Sequence, residues 1–133
     1  MSKSLSLLLI FFNTIVLGST LKDAILSYEQ KKFKEAKKLF ENAIKEENSV
    51  QANYFLGKIY LFGEGTKKDP EKALRYFQKA EKSGNIKAKC LKIKTLLQMG
   101  KEISKEEENF LNSPLAKNLK ECKNIKTTNK DKK

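Results

Sequence analysis

Apolar side chains in this chain return at intervals of three and four residues, the spacing of one face of an α-helix. Ala52, Leu56, Ile59 and Tyr60 mark one such face, and Ala73, Tyr76, Phe77 and Ala80 mark the next. Between them Gly63 and Gly65 supply the positive backbone angles of a turn. Asp69 and Pro70 then restart the helix, the aspartate as N-cap and the proline at the first helical position, where no amide donor is needed. Gly84 ends this second helix. Gly57 lies inside the first, where glycine costs about 1 kcal/mol relative to alanine; its presence there predicts close approach by a neighbouring backbone.

Extended along the chain, the same signals predict three helix pairs: Thr20 to Gln30 with Phe33 to Glu47, Ser49 to Phe62 with Pro70 to Ser83, and Ile86 to Met99 with a less regular partner from Lys105 to about Lys123. Ser104 and Glu107 have the spacing of a capping box for that last helix. Pro114 predicts a break near Ser113, because proline removes a helical donor and clashes with the preceding turn. Ala36, Phe40 and Ala43 recur 37 residues later as Ala73, Phe77 and Ala80, and Gly63 recurs as Gly100 at the same offset. A fixed period of this size is the mark of a helical array. The expected fold is all-α, a short solenoid of about three antiparallel helix pairs, with the irregular last segment as its polar cap.

The stretch Ala52 to Gly84 resembles the Sel-like repeat family, a relative of the tetratricopeptide repeat with a longer glycine-bearing turn. The matching residues are Ala52, Leu56, Gly57, Tyr60, Gly63, Gly65, Asp69, Lys72, Ala73, Phe77, Lys79, Ala80 and Gly84. The resemblance spans Leu21 to Gly100 and is lost from Ser104 onward. It implies a right-handed superhelix whose concave surface is lined by the first helix of each pair. On the helix from Ser49 to Phe62, Gln51, Tyr54, Lys58 and Leu61 form a stripe on a different face from the packing residues. An exposed tyrosine and leucine beside a lysine would suit an extended peptide or a partner's helix. The alternative is that Tyr54 and Leu61 pack against the neighbouring pair.

The N-terminus suggests where such an array would act. Lys3 precedes an apolar run from Leu5 to Leu17, followed by small residues near Gly18, the layout of a secretory signal peptide cleaved after Gly18. An uncleaved anchor is the competing reading, but this run is short for a membrane span of about 20 residues. On this reading 1–18 is the leader, 19–123 the repeat domain and 124–133 a disordered, lysine-rich tail. The expected location is the periplasm or outside the cell. In such an oxidising compartment Cys90 and Cys122 are expected to pair, as the resemblance to cysteine-rich bacterial Sel-like proteins also implies; two buried free thiols are the alternative.

Candidate chemistry is sparse. The chain has no histidine, which removes Ser-His and Cys-His nucleophile pairs and most transition-metal sites. Two cysteines cannot complete a structural zinc site, so no metal and no cofactor are expected. Gly63-Glu64-Gly65 lacks the preceding strand and following lysine of a phosphate loop. The carboxylates of Glu46-Glu47 and of Glu106 to Glu108 lie at helix ends. Ser19-Thr20-Leu21-Lys22 has the Ser-x-x-Lys spacing of penicillin-recognising enzymes, without the other motifs of that class. A net charge of +12, carried by lysines with Arg75 the one exception, reads as a solvated surface able to attract an acidic envelope polymer rather than as a nucleic-acid site. The expected function is a non-enzymatic binding or scaffold module in the bacterial envelope, with a protein or peptide on the concave face. Two alternatives stand beside it: β-lactamase or penicillin-binding activity, which the cysteine-rich group's resemblance implies, and inhibition of another exported protein.

Overall fold

The computed structural model describes residues 20–127. In it the chain forms α1 (Thr20–Glu29), α2 (Phe33–Glu47), α3 (Val50–Phe62), α4 (Pro70–Lys82), α5 (Ile86–Gln98), α6 (Lys105–Asn112) and α7 (Pro114–Asn118), then a single 3-10 turn, Lys120–Cys122. No strand occurs among the described residues. Successive helices from α1 to α5 pack as antiparallel neighbours. The leader reading, Ser19 and residues 128–133 lie outside the described residues.

Local chemistry sets the boundaries. The side chains of Ser49, Asp69, Asn85 and Ser113 accept hydrogen bonds from the amides of Ala52, Lys72, Ala88 and Ala116, satisfying donors that a helix start leaves free. Pro70 and Pro114 take first-turn positions. The capping box is complete, with Glu107 donating its amide to Ser104 and accepting the Ser104 amide on its carboxylate. The expected break falls at Ser113. The segment after it is less helical than the spacing predicted: α7 ends at Asn118, and Leu119 is extended before the 3-10 turn.

Gly65, at φ +66°, lies where an added Cβ would sit 2.8 Å from the Phe33 Cβ and 3.0 Å from the Lys34 amide nitrogen. The long turn of the second pair thus rests on the start of α2, and glycine serves both the angle and the approach. Gly57 is also a close-approach position, but what approaches is a side chain, the Phe77 ring of α4, not a backbone.

The core divides into two clusters that share α3. Ala24, Ala36, Phe40 and Ala43 pack with Ala52, Leu56 and Ile59, and on the other side Ala73, Phe77, Ala80, Ala88 and Leu91 pack with Tyr54, Tyr60 and Leu61. The helix is covered by pairs on both sides, as the middle member of a stacked array must be. A third, smaller cluster, Cys90, Ala116 and Cys122 with Phe110, Leu111 and Leu119, holds the C-terminal segment against α5. Residues 124–127, placed by composition in the tail, continue beside α5, where Ile125 shares a shallow groove with Leu97.

Helix α6 is fastened largely through charge. Lys92 donates to Glu81 of α4 and to Glu107 of α6, each at 2.7 Å, and Lys89 lies 3.5 Å from Glu106 and over the Phe110 ring. Burial alone would raise the Glu107 pKa, but the Lys92 and Ser104 hydrogen bonds hold it below the ordinary carboxylate range. Stability from this contact is therefore present above the ordinary carboxylate pKa and is lost as pH falls through the depressed one. Lys92→Met is expected to lower the unfolding free energy by about 2 kcal/mol at neutral pH. In denaturant titrations repeated toward acid, the difference from wild type should shrink as Glu107 protonates.

Candidate functional site

Aromatic residues join the first helix pair to α3. Phe40 and Phe55 stack with centroids 4.9 Å apart. Tyr28 of α1 meets Phe55 of α3 edge-on at 5.0 Å, and Tyr54 meets Phe55 at 5.4 Å. Lys58 stands over this surface, its Nζ 4.8, 5.6 and 5.7 Å from the ring centroids of Tyr28, Phe55 and Tyr54. These distances suit cation–π attraction.

Each tyrosine hydroxyl is tied to a carboxylate. Tyr28 donates to Glu64 at 2.7 Å and Tyr54 to Glu121 at 3.2 Å. Burial, then the adjacent carboxylates, raise both phenol pKa values above the usual range, so both remain protonated donors. Lys58 goes the other way: burial lowers its pKa, the charges of Glu64 and Glu121 oppose that, and Lys120 and Lys87 reinforce it. Lys87 of α5 also reaches Glu121, at 3.9 Å. Beside these groups, Gln51, Tyr54 and Lys87 line a shallow groove of about 480 Å³ at the α3–α5 junction.

Of the four residues in the sequence-predicted stripe, the structure brings Gln51, Tyr54 and Lys58 to this region but divides their roles. Gln51 is exposed and Lys58 half-buried. Tyr54, at 8 % exposure, and Leu61, at 7 %, belong to the core between α3 and α5, so the packing alternative holds for both and an exposed tyrosine–leucine pair does not exist. The physical reason is the coverage of α3 from both sides, which leaves it little solvent-facing surface. Tyr54 retains a part through its hydroxyl, which reaches Glu121. Sequence reasoning missed Tyr28, Glu64, Lys87 and Glu121. The only signal for Glu121 was its place next to Cys122.

The repeat residues lie where packing needs them: Ala52, Leu56, Ala73, Phe77 and Ala80 are fully buried and Tyr60 nearly so. Gly63, Gly65 and Gly84 have positive φ, and Asp69 caps α4. Cys90 and Cys122 are joined as a disulfide. Of the Ser-x-x-Lys motif, Thr20 to Lys22 form the first turn of α1. No described helix is long and apolar enough to cross a membrane.

Comparison with protein-family models finds the Sel1 repeat, matched at residues 50–85. No curated protein and no solved structure matches the chain. The matched segment is the whole of α3, the glycine-bearing turn and α4, and the pairs on either side stack on it through the two core clusters. The chain thus carries a Sel1 repeat at the centre of its helical array.

Proposed function

We propose that this chain is an exported binding or scaffold module that engages another protein through the face formed by α1, α3 and α5, taken as the concave surface of the array. Sel1 repeats suggest a protein–protein interaction module. The observation that carries the finer reading is the setting of Lys58, a half-buried cation over three aromatic rings drawn from two different helix pairs. Aromatic surface next to a cation, at the junction of repeats, is the composition that binding surfaces favour. Support for export comes from the Lys3-led apolar run of the N-terminus and from a disulfide, which persists in oxidising compartments.

Affinity capture from cross-linked envelope and culture fractions tests this reading. Wild type is expected to recover one protein in stoichiometric amount. Lys58→Gln should recover about tenfold less, the size of effect expected of a central contact, while its melting temperature stays within a few degrees of wild type. Equal recovery by the two proteins, or no specific protein with either, would overturn the assignment of this face.

A further inference from the structure

The C-terminal turn lies on the same face. Beyond α7 the chain turns back so that Cys122 reaches Cys90 on α5, which places Glu121 against Tyr54 and Lys87. The Glu121 side chain is only 18 % exposed, although it belongs to a short segment outside the two main cores. That segment is held by the disulfide and by the small cluster of Cys90, Ala116 and Cys122. The two main clusters, which run from α1 to α5, contain no residue of it. The turn therefore covers the face more than it builds it.

What occupies a surface shows what the surface can hold. A hydroxyl donor at 3.2 Å and an ammonium at 3.9 Å converge on one carboxylate, and Lys58 adds a further cation whose charge that carboxylate offsets. Donors and cations of this kind, aimed at a single point, recognise an anionic oxygen. We infer that the face centred on Tyr54, Lys58 and Lys87 is a receptor for a carboxylate-bearing segment of a partner protein, and that Glu121 on the disulfide-anchored turn holds that place in the free molecule. The inference rests on the binding reading above and names the chemistry of its partner. Binding is then an exchange, the partner's acidic side chain replacing Glu121.

The test is fluorescence anisotropy with a fluorescein-labelled hexaglutamate peptide, titrated against the oxidised full-length protein at physiological salt. Glu121→Ala is expected to tighten binding about fivefold over wild type, because the internal competitor is gone. Glu46→Ala, which makes the same charge change at the far end of α2, should leave affinity nearly as it was. In the Glu121→Ala background, Lys58→Gln should abolish the gain and Lys34→Gln should not. Equal effects of Glu121→Ala and Glu46→Ala, or of Lys58→Gln and Lys34→Gln, would overturn the inference, since the peptide would then be reading net charge alone. Failure here with successful, Lys58-dependent partner capture would remove the carboxylate assignment and leave the binding module. Failed capture with a site-specific hexaglutamate result would do the reverse.

Discussion

Replacing Phe77 with alanine is expected to lower the unfolding free energy by about 3–5 kcal/mol, the range for removing a large buried aromatic side chain. Phe77 is fully buried at the centre of the cluster that joins α3, α4 and α5. Its ring passes so close to α3 that a Cβ at Gly57 would lie 2.4 Å from the ring Cε1 and 2.6 Å from Cδ1. The two positions are therefore coupled. Gly57→Ala alone is expected to destabilise by about 1–3 kcal/mol through overpacking, even though alanine is the better helix former by about 1 kcal/mol. In a Phe77→Leu background the ring is absent, and the same Gly57→Ala change should become neutral or stabilising. A double-mutant cycle by urea denaturation reads this directly. Additive effects would show that the ring is not what forbids a side chain at position 57.

Removal of the Cys90–Cys122 bridge, by changing both residues to alanine, is expected to cost about 3–4 kcal/mol. The bridge spans 32 residues, and in the chain-entropy account a loop of that length stabilises by about that amount. The loss should be unevenly distributed. Native-state hydrogen exchange is expected to show much faster exchange from α6 to the 3-10 turn and little change in α2, α3 and α4, whose clusters contain neither cysteine. Uniform acceleration along the chain would mean that the bridge supports the array as a whole and that the C-terminal turn is not a separable cover.

The frame of this fold was readable because each of its signals acts over a short distance. Asp69 and Pro70 cap α4 through atoms three residues apart, and Ala36, Phe40 and Ala43 mark the same helix face as Ala73, Phe77 and Ala80 one period later. Gly57 was legible as a close approach, but not as an approach by a ring, because the sequence gives no rotamer for Phe77. The candidate site was legible only at Lys58 and Gln51. Tyr54 and Leu61 look exposed when α3 is drawn as one amphipathic helix, and their burial appears only once α5 is laid beside it. Glu121 was out of reach for a stronger reason: its partner Tyr54 is 67 positions away, and a covalent bond, not a repeat pattern, brings them together.

That bond also gives the C-terminal region a different topology from the remainder. Between Cys90 and Cys122 the molecule is a closed covalent ring that contains the exposed corner at Pro114 and Leu115. For α1 to α4, integrity depends on an unbroken backbone, whereas within the ring a single peptide cut leaves both ends attached. The corner is thus a place where a protease can nick the chain while the turn bearing Glu121 stays tethered to α5.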